Sequence, residues 1–198
     1  MDLGLYEQFK FACKTKVKAD EKKFVALFVQ SFQNDEERLS WAKSFLGAAG
    51  SRGKIRYELY EGIIFPALLS EYKNGSAWAG LWLARTFENI LTSEALSQHF
   101  EGITPVQLYQ ECLDKDPTND EVRGELVDAK VESMEYAIQP WPKRVIYADG
   151  ETAVEFLAEV ALARALDKEC LHTAFFDRVE QILGEDQTRV KVARPSRK

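Results

Sequence analysis

Apolar side chains recur along most of this chain at steps of three and four with polar residues between them, the period of amphipathic helices. Phe24, Leu27, Phe28 and Phe32 follow Asp20 at that spacing. Leu39, Ala42, Phe45 and Leu46 follow a cap at Asn34 or Asp35, with Gly47 as the stop. From Ile55 to Tyr72 the pattern is apolar nearly all round, which predicts a central helix. Pro66 lies inside it. A proline ring clashes with the carbonyl four residues back, here that of Gly62, so the segment is expected to kink rather than break. Asn74-Gly75 ends this helix, and Ser76 caps the next, which carries Trp78, Leu81, Trp82, Leu83, Phe87 and Ile90. The two are expected to form an antiparallel hairpin at the heart of the core.

Further along, Ser93 to Phe100 reads as a short helix closed by Gly102. Thr104-Pro105-Val106-Gln107 combines an N-cap, a first-turn proline and a capping-box glutamine, and Thr118 with Glu121 repeats the capping-box spacing. The helix from Thr118 to Ile138 is stopped by Gln139-Pro140-Trp141-Pro142, and Val145-Ile146-Tyr147 reads as a short extended piece before Asp149-Gly150. Thr152 to Ala165 and Asp167 to Leu183 are two further helices, the second closed by Gly184. No set of alternating segments exists to build a sheet. The expected fold is therefore all-α, a stack of antiparallel helical hairpins with about eight to ten helices. Residues 1–184 read as one domain and 185–198 as a basic, flexible tail.

The turn Cys112-Leu113-Asp114-Lys115-Asp116-Pro117-Thr118-Asn119, running on to Val122, resembles the link between the two helices of a tetratricopeptide repeat. The resemblance covers about one repeat of roughly thirty-five residues. It implies stacked helical hairpins and a protein-binding scaffold without catalysis.

The helix after that turn carries Glu121, Glu125, Asp128, Glu132 and Glu135 at steps of four and three, so these carboxylates share one face. Arg123 and Lys130, seven apart, stand nearly opposite and divide the apolar residues into two flanks. Val122, Leu126 and Ala129 form one; Val127, Val131, Met134 and Ile138 form the other. Two apolar flanks imply two packing neighbours. Arg123 and Lys130 either snorkel out of a packed face or line a groove. Trp141, between two prolines, is either an aromatic anchor for a partner or a plug over the helix end.

Composition narrows the class. Hydrophobic residues make up 45% of the 198, enough for a real core. No apolar run is long enough to cross a bilayer, and the first residues lack the apolar core of a secretory signal. Three well-separated cysteines suit a reducing compartment, so the cytoplasm is expected. The net charge is -6, although Arg189 to Lys198 holds five basic residues and no acid. An acidic body disfavours nucleic acid and anionic membrane and favours a basic protein partner.

Candidate chemistry is sparse. Glu169 and His172 have the spacing of a di-iron helix motif, but such sites need the motif twice, and His99 has no glutamate three residues before it. No Cys-x-x-Cys or His-x-x-x-His pair exists for zinc. Gly47 to Lys54 resembles a phosphate loop but has five residues between its glycines and no Ser or Thr after the lysine, so it reads as an interhelical loop. Glu58 and Glu61 read as a solvent-facing edge or as partners for Arg56 or Arg85, and Cys112 as core. No enzyme activity, cofactor or metal is expected. The leading expectation is a non-enzymatic scaffold whose acidic face recognises a protein, as an immunity protein neutralises a basic toxin. The alternative is an enzyme or small-ligand binder using an aromatic pocket near Tyr57, Tyr60, Trp78 and Trp82.

Overall fold

The computed structural model describes residues 1–49, 55–138 and 153–193, with backbone alone at 49 and 185–193. The described residues form helices and connecting turns, with no strand. The segments 139–152 and 50–54 lie outside the described residues. With them go Pro140, Trp141 and Pro142, the extended piece expected at Val145-Ile146-Tyr147, and most of the loop expected after Gly47. The chain divides into two compact units, Met1–Lys115 and Asp116–Lys198.

In the first unit α1 (Leu3–Thr15) pairs with α2 (Lys18–Gln30), and α3 (Asp35–Ala49) packs on the helix that follows. Asp2 caps α1 by accepting the Gly4 amide at 2.8 Å. α1 was not among the helices expected from the sequence, although Leu5, Phe9 and Ala12 follow at steps of four and three. Nor does Gly47 end α3, which runs two residues further.

The central helix expected from Ile55 to Tyr72 is present as α4 (Tyr57–Leu59), a π-helical turn (Tyr60–Ile64) and α5 (Phe65–Lys73). The chain runs through Pro66 without a break. Pro66 has no amide hydrogen to offer, and just ahead of it the Phe65 amide reaches five residues back, to the Tyr60 carbonyl. Tyr60, Ile63, Ile64 and Leu68 are fully buried. At Gly62 α2 comes close: a Cβ there would lie 2.6 Å from Val29 Cγ1.

Asn74-Gly75 closes α5 as expected. Gly75 adopts φ of 87°, and the amides of Gly75 and Ser76 return to the carbonyls of Tyr72 and Glu71. The expected helix from Ser76 to Ile90 is divided into α6 (Ala77–Arg85) and α7 (Phe87–Leu91). Thr86 makes the break. Its hydroxyl donates 2.6 Å back to the Trp82 carbonyl, a local bond that competes with helix propagation. The α5–α6 hairpin forms, and α6 packs on α9 (Pro105–Lys115). Between α7 and α9, α8 (Glu94–Ser97) runs into a 3-10 turn ending at Phe100, and Gly102 follows at φ of 76°.

The second unit is built on α10 (Asp120–Ile138), α11 (Ala153–Leu166) and α12 (Thr173–Ala193). Val127, Val131, Met134 and Ala137 from α10 meet Phe156, Val160 and Ala163 from α11 and Phe176, Val179 and Leu183 from α12. The helix expected from Asp167 begins only at Thr173, because the Asp167 carboxylate accepts the amides of Leu171 and His172 and holds Asp167–His172 in a turn. Glu169, Cys170 and His172 therefore do not lie on a helix, and Cys170 has φ of 55°. Gly184 does not end α12, which continues to Ala193.

Candidate functional site

The start of α10 is set by a network inside the turn before it. Asp116 accepts from the Thr118 amide at 3.2 Å and from its hydroxyl at 2.7 Å. The side chain of Asn119 then accepts the Val122 amide at 3.0 Å, so Asn119 and not Thr118 is the N-cap. The Thr118 hydroxyl is instead turned back to the Asp116 carboxylate. Arg123 completes the turn. Its guanidinium donates to the Asp120 carboxylate and to the Pro117 carbonyl, and the residue is only 7% exposed. Lys130, one heptad on, is also drawn in, and its ammonium meets Glu159 of α11 at 2.7 Å. Arg123 lies within the buried face of α10, among Val122, Leu126, Val127, Val131 and Met134, and Lys130 is half-buried at its edge.

The acidic positions lie on the other side of the helix. Glu121, Asp128, Glu132 and Glu135 are exposed and Glu125 is half-buried. They share one face, but their surroundings differ. Asp128 Oδ1 stands 3.0 Å from His172 Nε2, which ties the middle of the stripe to the turn before α12. Tyr136, one turn after Glu132, is 69% exposed. Sequence reasoning passed over Tyr136. Its signal was an aromatic that helical spacing places beside Glu132 and away from Val131 and Met134. The structure thus gathers Glu121, Glu125, Asp128, Glu132 and Glu135 on one side and sets Arg123 and Lys130 opposite. Trp141 lies outside the described residues.

The aromatic residues named for a ligand pocket differ in their surroundings. Tyr60 is fully buried, with its hydroxyl 2.9 Å from that of Thr86; burial drives the phenol pKa well up, and the Thr86 bond opposes the shift. Trp82 is buried with the Arg85 guanidinium over its ring, Trp78 is half-buried beneath the Lys43 ammonium, and Tyr57 is exposed. Glu58 pairs with Arg56 at 3.1 Å, in keeping with one of the readings for that glutamate. Cys112 is core, as expected, with its thiol pushed up to about 11 by burial. Among the described residues no group of three or more His, Cys, Asp or Glu is placed to hold a metal ion, and no helix is long and apolar enough to cross a membrane.

Comparison with family models, with curated proteins and with solved structures gives no match. The chain is an all-α helical bundle with buried aromatic clusters and mixed ion pairs.

Proposed function

We propose that the protein is a non-enzymatic, cytoplasmic binding scaffold that recognises a basic protein partner through the acidic face of α10. One observation carries this reading: Glu121, Asp128, Glu132 and Glu135 lie on the exposed side of α10 with Glu125 half-buried beside them, while Arg123 is buried against Asp120 and Lys130 is half-buried against Glu159. That side therefore presents negative charge to its surroundings, which steers a positive surface toward it and repels nucleic acid and anionic lipid. Tyr136 supplies what carboxylates alone lack, an exposed aromatic for a partner to cover. The likeness of the α9–α10 link to a tetratricopeptide repeat supports the same class of function. A specific form is an immunity protein that neutralises a basic toxin.

Glu132 and Glu135 are the residues to test. Asp128 is bridged to His172, and Glu125 is half-buried, so changing either disturbs packing as well as charge. Affinity capture from the native cell extract is expected to retain a basic protein at low salt and release it at high salt. The Glu132→Lys/Glu135→Lys variant is expected to lose that protein while melting within a degree or two of the parent, since exposed substitutions change stability by about 0.5 kcal/mol or less. Equal retention by the variant removes this face as the contact surface.

A further inference from the structure

The first unit carries an open cleft of about 660 Å3 lined by residues 87–103, the stretch that holds α7, α8 and the 3-10 turn after it. Phe87, Ile90 and Phe100 line it as buried residues, and Leu91 lines it while 66% exposed. Phe100 is held by ring contacts with Phe65, Tyr72 and Phe87, at centroid distances of 6.2, 6.0 and 6.4 Å. The apolar part of the cleft thus rests on the packed interior of the unit.

The charged residues that line the cleft are both carboxylates, Glu94 and Glu101, and both are exposed. Among the described residues neither is joined to a cation. The sequence from Thr86 to Asp114 contains no lysine or arginine. The cations at the two ends of that stretch have other partners: the Arg85 guanidinium stands over the Trp82 ring, and Lys115 donates to the Gly75 carbonyl at 3.2 Å. His99 is not part of the lining, and its ring lies 5.7 Å from that of Phe65.

We infer that this cleft binds a small amphiphilic organic cation, its apolar body against Ile90, Leu91 and Phe100 and its protonated amine beside Glu94 and Glu101. Charge selects the sign of the ligand. An anion would meet two carboxylates, and a neutral molecule of the same shape would gain the apolar contact alone. Size selects a small ligand, since the whole lining comes from one short stretch and the volume falls within the range of about 300–1,000 Å3 common to such sites. The cleft shares no residue with the α10 face, and the inference does not rest on the function proposed above.

The test is a titration of the full chain near pH 7 with 4-phenylbutylamine, read from amide chemical shifts of nitrogen-15-labelled protein. The amine is charged there, as a lysine side chain is. 4-Phenylbutanol and 4-phenylbutyrate supply the same body without charge and with a negative charge. Saturable shifts centred on residues 87–103 are expected, with the alcohol about threefold weaker than the amine and the carboxylate weaker again. Glu94→Gln/Glu101→Gln alters exposed side chains and retains the fold. It is expected to bring the amine to the affinity of the alcohol while leaving the alcohol unchanged. Leu91→Ala is expected to weaken amine and alcohol alike, by about threefold. Absence of saturable shifts, equal affinity for amine and alcohol in the parent, a preference for the amine that survives Glu94→Gln/Glu101→Gln, or tighter binding of N-acetyl-Phe-Lys amide than of phenylbutylamine would each overturn the assignment.

Discussion

Single residues decide where this chain breaks its own helices. Thr86 is the clearest case, since its hydroxyl serves both the Trp82 carbonyl and the buried Tyr60 phenol. Thr86→Val keeps the shape and removes both bonds, leaving the Tyr60 hydroxyl buried without its partner. The expected loss is about 1–3 kcal/mol in urea denaturation. A loss no larger than that of an exposed threonine would show that the pair contributes nothing. The cysteines give a second residue-level expectation. Cys170 is exposed and Cys112 buried, so a thiol reagent near neutral pH is expected to label Cys170 quickly and Cys112 only on unfolding. Burial raises the Cys112 thiol from its ordinary 9.0 to about 11. Burial and the bond to Glu111 raise the Tyr72 phenol from 10.0 to about 12. Both groups are neutral when protonated and have raised folded-state values. Their contribution is therefore whole below the ordinary values and is lost as pH climbs through the folded ones. Melting temperature is expected to fall from about pH 9 to pH 12, a fall that Tyr72→Phe/Cys112→Ala makes shallower. An unchanged alkaline slope in that variant would assign the effect to other groups.

At the scale of elements, the central helix shows how one proline is absorbed. Gly62, within the π-turn, lets Val29 of α2 approach. Gly62→Ala would place a Cβ 2.6 Å from Val29 Cγ1. The expected cost is about 1–3 kcal/mol of overpacking. Val29→Ala on its own is destabilising, but combined with Gly62→Ala it is expected to return part of that cost. Strict additivity in the double-mutant cycle would mean the two side chains do not meet. The helical period along residues 57–73 was legible because apolar residues recur on every face. The π-turn was not, since it depends on which carbonyl the Phe65 amide can reach once Pro66 follows. On α10 the period placed five carboxylates on one side correctly. It also identified Arg123 and Lys130 as opposite them, without saying whether that side was a groove or a packed interior.

For the whole molecule, each compact unit has apolar residues of its own to bury. A fragment comprising residues 1–115 is expected to give a helical circular dichroism spectrum and a single cooperative melt. A broad, non-cooperative melt would show that its core depends on the rest of the chain. What the sequence by itself determined is the all-α class, most helix positions, the Asn74-Gly75 stop, and the shared face of Glu121, Glu125, Asp128, Glu132 and Glu135. These follow from hydrophobic period, glycine at positive φ and turn chemistry, all of which act over a few residues. Arg123 is held within the turn that opens α10, by Asp120 and the Pro117 carbonyl. Only the tertiary structure decided that Lys130 is half-buried against a carboxylate of another helix. It also decided that Tyr60 and Trp82 are core and that Phe11, Val17 and Phe24 border an open cleft. Burial depends on which helix comes to cover a face, and that contact joins residues far apart in the chain, beyond the reach of any local pattern.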